Sequence, residues 1–144
     1  MTVDPADVLR GYLHDGDRND NEALARWLDP DVETHSPGGV TTVGIAAQAE
    51  SWTAAHTGLG ELRHEVTDVV AEGELVAARV DVTGIHHGHF LGIAPTGRRI
   101  RVDQALFARV RDGRIVEMWE VVDTGAGLRQ LGVLSGQQRL SPGS

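Results

Sequence analysis

Residues 100–123 read IRVDQALFARVRDGRIVEMWEVVD, and this stretch decides the fold. Apolar and polar residues alternate on both sides of Asp112-Gly113, which is typical of two antiparallel strands joined by a tight turn. We therefore predict one strand from Ile100 to Arg111 and a second from Arg114 to Asp123.

The register of this hairpin determines which side chains share a face. A two-residue loop leaves both faces mixed, whereas a three-residue loop with a glycine bulge makes one face almost wholly apolar. Burial favours the bulged register. Two polar side chains remain on the apolar face, Gln104 and Glu120, and this register predicts that they lie directly opposite each other. The other face carries charged residues with Phe107 and Trp119, which suits a solvated or dimer-forming surface.

A carboxylate inside an apolar fold is the first candidate for chemistry. Burial disfavours its charged form, so the pKa of Glu120 should rise toward the range that acid/base catalysis near neutral pH requires. The alternative is a structural carboxylate that Gln104 or a helix end satisfies. His86 has the parity of the interior residues of its strand, so it either opens onto the same interior or faces solvent at the strand end. His64 and Asp68 are weaker candidates.

Helical patterns precede the strands. Asp4 is the predicted N-cap of a helix that begins at Pro5 and ends at Gly16. A second short helix follows Asn19-Asp20 and stops before residues 29–31, and a third runs from about Gly44 to His56.

From residue 61 onward the apolar period changes to two. Four strands are predicted, at 62–71, 75–86, 100–111 and 114–123, with a long connection at 87–98, a last helical turn at 128–134 and a loose tail at 135–144. Helices followed by a meandering sheet predict an α+β fold, with the helices laid on one face of a curved antiparallel sheet.

Composition excludes several classes of protein. The length of 144 residues predicts a single domain, and 13 basic against 21 acidic residues give a net charge of -8, which disfavours a nucleic-acid partner. Cysteine is absent, which excludes disulfides and thiolate chemistry, and the absence of lysine excludes a lysine Schiff base. No signal peptide or membrane span is evident, so we expect a soluble, cytoplasmic protein without a membrane partner.

Sequence motifs for other chemistries are missing. The run HHGHF at 86–90 invites a metal-site interpretation, but neither a cysteine nor an HExxH spacing completes a ligand set, so no metal is predicted. Phosphate-binding glycine loops and the GxSxG elbow of serine hydrolases are absent as well.

Several stretches carry a family resemblance. TGIHHGHFLGIAPTGRRI at 83–100, FARVRDGRIVEMWEVVD at 107–123, LRQLG at 128–132 and DPDVETH at 29–35 resemble the SnoaL-like polyketide cyclases, which belong to the nuclear-transport-factor-like α+β cone superfamily. The resemblance extends from Pro5 to Leu134. It implies one domain over 1–134, a conical half-barrel with an apolar internal pocket closed by the N-terminal helices, and a homodimer formed through the sheet.

The resemblance also implies residue roles. In the cyclases, an aspartate directly after the last-strand tryptophan is the acid/base of an intramolecular aldol closure, and Glu120 holds this position after Trp119. Gln104 matches a family glutamine that lines the pocket. The usual HWD motif reads Met118-Trp119-Glu120 here, and the histidine expected two residues after the glutamine is Leu106.

These observations give a functional hypothesis for an aromatic polyketide substrate of the anthracycline type. Glu120 removes a proton from an activated methylene, Gln104 and His86 hydrogen-bond the oxygen that gains charge, and no cofactor is needed because the enolate charge spreads over the substrate. The predicted substrate contacts are Tyr12, His35, Trp52, Leu106 and Met118. Two alternatives stay open: hydroxylation in the same pocket with a partner reductase, and a module that binds a polyketide without transforming it.

Overall fold

The computed structural model describes residues 3–134, so the predicted tail at 135–144 lies outside the described residues. The helices are α1 (Pro5–Asp17), a short 3-10 helix (Glu22–Arg26), α2 (Ile45–Gly58) and α3 (Thr124–Gln130). The strands are β1 (Leu28–Ser36), β2 (Val40–Val43), β3 (Leu59–Glu72), β4 (Leu75–His86), β5 (Arg99–Arg111) and β6 (Arg114–Val122).

The helices pack on one face of a curved, unclosed sheet, as the α+β prediction required. The six strands follow the order β2-β1-β6-β5-β4-β3, and the four predicted strands pair antiparallel as a meander. The sheet is mixed because β1, predicted only as a brief extended segment, adds to β6 in parallel. The core lies between the helices and this concave face, where β4 and β5 bury every second side chain from Val76 to Val82 and from Ile100 to Val110.

The decisive hairpin differs in detail from the prediction. The loop has two residues, Asp112 and Gly113, both at positive φ, and the bulge lies within β6 instead of at the turn. Ile115 pairs with Val110 and is buried, and the extra residue at Val116 then changes the parity of the rest of β6. The predicted faces are therefore correct from Met118 onward.

The predicted pairing of the two polar residues on this face is wrong. Glu120 lies opposite Leu106, and Gln104 lies opposite Val122. The reason is the position of the bulge. The extra residue within β6 shifts the pairing by one residue in one direction, whereas the predicted three-residue loop would have shifted it by one residue in the opposite direction. The two side chains still share the concave face, at adjacent positions across the strand pair.

Helix α1 begins as predicted, with the Asp4 side chain accepting a hydrogen bond from the backbone N–H of Ala6 at 2.9 Å. It does not end at Gly16 but continues to Asp17. An ideal Cβ on Gly16 would lie 2.2 Å from the ring of Trp52. Gly16 is thus a close-packing position and not a helix terminator.

The remaining helix boundaries also differ. The second helix is a single 3-10 segment, and residues 29–31, predicted to stop it, belong to β1 because Leu28 is already buried in the sheet. The last helix starts at Thr124, earlier than predicted, and Asp123 caps it by accepting from the backbone N–H of Ala126 at 3.0 Å. Of the helices within residues 3–134, none has the length and apolar character needed to cross a membrane.

Candidate active site

The concave face of the sheet and the N-terminal helices enclose a cavity of about 340 Å³. Most of its wall is apolar, with residues from α1, α2 and α3 and from β3 to β6. The apolar lining residues include Leu13, Trp52, Leu59, Leu62, Val82, Phe90, Ile100, Val102, Leu106 and Val122. The polar lining residues include Tyr12, Gln48, Ser51, His64, Gln104 and Glu120. A largely apolar cavity with a few convergent polar groups is typical of a site for a small organic ligand.

Glu120 is a largely buried carboxylate on the wall of this cavity. Burial is the main cause of its raised pKa, and a hydrogen bond from Gln48 and the nearby His64 act in the opposite direction. A carboxylate with a raised pKa is a stronger base when it is ionised, which suits proton abstraction near neutral pH.

Gln48 on α2 connects Glu120 to Tyr12 on α1 through hydrogen bonds. Its Nε2 donates to the hydroxyl of Tyr12 at 2.7 Å and to Oε1 of Glu120 at 3.4 Å. The indole N–H of Trp52 donates to the same hydroxyl at 2.8 Å. Burial and the neighbouring Glu120 raise the pKa of Tyr12, so the phenol is neutral. Since both hydroxyl lone pairs accept, its own proton is left for an acceptor in the cavity.

A second polar pair lies at the other side of Trp52. His64 on β3 donates from Nδ1 to Oδ1 of Asp17 at 2.6 Å, and its ring meets that of Trp52 edge-on at 5.0 Å. Asp17 also accepts the backbone N–H of His64 at 2.6 Å through Oδ2. The carboxylate therefore fixes both the position and the orientation of the imidazole.

The structure brings together six of the candidate residues named from the sequence. The cavity is lined by Glu120, Gln104, Tyr12, Trp52, Leu106 and the weaker candidate His64. Met118 points to the same side but is fully buried, beneath the lining and not in it. Oε1 of Gln104 is buried without a hydrogen-bond partner among the described residues, so a bound donor would satisfy it.

His86 occupies a different place from the one predicted. Its side chain is fully buried, as its parity indicated, but it is not one of the described residues that line the cavity. Its Nδ1 accepts from the backbone N–H of Thr96 at 3.2 Å and lies 2.9 Å from the Thr96 hydroxyl. These hydrogen bonds connect the segment 87–98 to the end of β4. The prediction that His86 opens onto the cavity and contacts the substrate oxygen is therefore wrong.

The prediction that His35 lies in the pocket is wrong as well. Thr34 points into the core, so the alternation of β1 puts His35 on the outer face of the sheet. There it stacks on Trp119 at 5.5 Å and donates from Nε2 to Glu117 at 2.7 Å. Glu33, His35 and Glu117 each offer one atom that could bind a metal ion, and these three atoms lie within 4.8 Å of one another. Cross-strand hydrogen bonds already explain this outer cluster.

Gln48 and Asp17 belong to the site but were not among the residues predicted from the sequence. Gln48 follows Ile45 by three residues and precedes Trp52 by four, so the helical period placed it on the buried side, and this was the available signal. Asp17 had no such signal because its partner His64 is 47 residues away in the chain.

The comparison with protein families decides the family of this chain. The family model described as SnoaL-like polyketide cyclase matches residues 6–131. The chain belongs to this family. A relative of this SnoaL-like chain, the nogalonic acid methyl ester cyclase of Streptomyces nogalater, is 35% identical over 107 residues, which cover 74% of this chain and 77% of the relative.

Solved structures agree with the SnoaL-like assignment. IdmH from Streptomyces antibioticus, which has been proposed to be a polyketide cyclase, superposes with a TM-score of 0.82 and 32% identity over 91% of this chain and 100% of its own. AclR from Streptomyces galilaeus, which has been proposed to be a hydroxylase, superposes with a TM-score of 0.82 and 26% identity over 94% of this chain and 85% of its own.

Proposed function

We propose that this protein closes a ring in an aromatic polyketide ester of the anthracycline type by an intramolecular aldol reaction. The observation that carries the proposal is the carboxylate of Glu120 at the wall of an apolar cavity of about 340 Å³. The relative that acts as a nogalonic acid methyl ester cyclase supports this class of substrate.

In the proposed reaction, ionised Glu120 takes a proton from a methylene between two carbonyl groups. The C–H electron pair enters the enolate, the enolate carbon attacks a second carbonyl carbon of the same chain, and the oxygen of that carbonyl becomes an alkoxide that is then protonated. Delocalisation over the substrate carbonyls stabilises the enolate, so the chemistry requires no cofactor.

Tyr12 and Gln104 support this chemistry. The free proton of the Tyr12 hydroxyl and the amide of Gln104 are available to hydrogen-bond the oxygen that gains charge. The apolar walls, with Leu106 and Trp52 among them, would fold the flexible chain so that the two reacting carbons meet.

The test uses nogalonic acid methyl ester as the first probe, with the product followed by mass spectrometry and chromatography. Wild-type protein should convert the probe to a cyclised isomer of the same mass, whereas Glu120→Gln should abolish turnover with an unchanged circular dichroism spectrum. Equal rates for the two proteins would exclude Glu120 as the base.

Hydroxylation in the same pocket is a second candidate, and the similarity to AclR favours it. It would raise the product mass by one oxygen and would consume O₂ together with a reductant. The same mass spectrum, recorded with and without a reductase system and O₂, therefore separates the two reactions. Tight binding of the probe with no product under any of these conditions would instead support the non-catalytic binding module.

A homodimer through the outer face of the sheet is part of this proposal. Phe107 is 42% exposed and Val121 is 61% exposed on that face. We expect Val121→Glu to convert a dimer into a monomer in sedimentation equilibrium. A wild-type monomer at all concentrations would contradict this assembly.

A further inference from the structure

His64 is a further titratable side chain on the wall of the cavity. Its side chain is only 10% exposed and lies against Trp52, so its ring is held inside the site and not on the protein surface. The reaction proposed above accounts for Glu120, Tyr12 and Gln104 but leaves this histidine without a role.

Asp17 determines which ring nitrogen of His64 carries a proton. One carboxylate oxygen accepts the ring Nδ1–H and the other accepts the backbone N–H of the same residue, both at 2.6 Å. Because a carboxylate can only accept, Nδ1 must carry its proton. The other ring nitrogen, Nε2, has no hydrogen-bond partner among the described residues, and it is the atom left for a bound molecule.

We infer that His64 is a second proton-transfer residue of the pocket and that Asp17 is its positioning residue. Ionised Glu120 takes the methylene proton, and the imidazolium of His64 gives its Nε2 proton to the alkoxide formed by carbon–carbon bond closure. The substrate neither gains nor loses atoms. After release, the proton on Glu120 returns to His64 through water, which restores the starting state.

The surroundings of His64 fit this division of labour. The titratable groups that face it are Asp17 from α1, Glu120 from β6 and, across the Trp52 ring, His56 from α2. Its cross-strand neighbour on β4 is the apolar Val82. A positive charge on His64 favours the ionised form of Glu120, which is the form that takes the methylene proton.

This inference rests on the proposed ring closure, and the first experiment is the pH dependence of kcat/KM with nogalonic acid methyl ester. Wild type should show a bell-shaped profile, with Glu120 ionised and His64 protonated at the optimum. His64→Asn keeps a donor at the Nδ1 position for Asp17 but removes Nε2. It should lower kcat by roughly 100-fold and remove the descending limb. An unchanged profile would overturn the inference while leaving the role of Glu120 intact.

The matched control is His56→Gln. His56 packs on the same tryptophan but donates to the backbone oxygen of Gly16 at 2.7 Å, and glutamine retains that donor. Its profile should equal that of wild type. Asp17→Asn should move the descending limb to lower pH with little change in KM, because the imidazolium loses its carboxylate partner. A descending limb that stays in place would remove Asp17 from the scheme.

A second experiment does not depend on turnover. In ¹⁵N-histidine NMR spectra, the His64 ring should carry its proton on Nδ1 when neutral, and its titration midpoint should fall in Glu120→Gln because a nearby negative charge is lost. A midpoint independent of residue 120 would contradict the inference. If wild type closes no ring, the proposed function fails, and these spectra show separately whether the two residues are coupled.

Discussion

Gln48 on α2 donates a hydrogen bond to the carboxylate of Glu120 on β6, across 3.4 Å. The same amide nitrogen donates to Tyr12 at 2.7 Å, so one side chain from a helix orients two polar groups of the cavity. This hydrogen bond opposes the effect of burial on the pKa of Glu120. The proton affinity of the proposed base therefore depends on how α2 packs over the sheet.

Replacement of Gln48 by leucine should raise the pKa of Glu120 further. The ionised carboxylate loses a donor while burial continues to favour the neutral form. Since the base acts only when ionised, the ascending limb of kcat/KM should move to higher pH, and activity on that limb should fall. Ser51→Ala, on the same helix and also at the cavity, is the control and should leave the limb in place. A limb that does not move in Gln48→Leu would show that this hydrogen bond is unimportant.

Glu120→Asp tests the reach of the carboxylate. Aspartate is one methylene shorter, which withdraws the base by about 1 Å and should lower kcat by roughly 100-fold. Thermal stability should change little, because the resemblance implies an aspartate at this position in the cyclases. Steady-state rates on nogalonic acid methyl ester measure the effect. Wild-type activity in this variant would indicate that the substrate adjusts to the base and not the reverse.

Gly16→Ala should disturb both stability and the cavity. The added Cβ would lie 2.2 Å from the ring of Trp52, so either the helix or the tryptophan must move. Such overpacking costs about 1–3 kcal/mol of unfolding free energy. Urea denaturation followed by tryptophan fluorescence measures this loss.

The control for Gly16→Ala is Gly125→Ala in α3. Its added Cβ would be 3.4 Å from the nearest atom, the end of the Arg129 side chain, so the variant should be neutral or slightly stabilised. Equal stabilities for the two variants would contradict the close approach of α1 and Trp52.

Trp27→Phe should reduce stability in a pH-dependent way. The indole N–H donates to the carboxylate of Asp15 at 2.7 Å, and this hydrogen bond is the main cause of the lowered pKa of Asp15. A carboxylate with a lowered pKa contributes stability above its unfolded pKa, near 3.8, and loses it as the pH falls through the folded value. At neutral pH the variant should lose about 1.5–3 kcal/mol.

The difference between wild type and Trp27→Phe should shrink as the pH falls below the unfolded pKa of Asp15. Urea denaturation at a series of pH values measures it. Asp15→Asn provides the comparison. Because it removes the ionisable carboxyl group, its free energy of unfolding should lack the pH dependence that Asp15 contributes in wild type. A constant difference at all pH values would assign the effect of Trp27 to packing alone.

Much of the fold followed from local patterns. The alternation in 100–123 predicted two strands, and Asp4-Pro5 predicted the start of α1, because these signals depend on neighbours in the chain. The prediction that Glu120 and Gln104 share an interior face was confirmed, since parity alone decides a face. Their direct pairing was wrong because the position of a bulge depends on which of Ile115 and Val116 the core accepts.

The site was less predictable than the fold. His35 and His86 were plausible by residue type, but the alternation of β1 and the hydrogen bonds of Thr96 place them away from the cavity lining. Asp17 and His64 meet only because α1 packs against β3. A contact between residues so distant in the chain leaves no mark in the local sequence.

The sequence by itself determined an acidic α+β chain with a carboxylate on the apolar face of a sheet, because strand parity and composition are properties of short segments. Only the tertiary structure decided which groups surround that carboxylate. Gln48, Tyr12 and His64 come from three different elements, and their convergence on Glu120 depends on how the helices pack over the curved sheet.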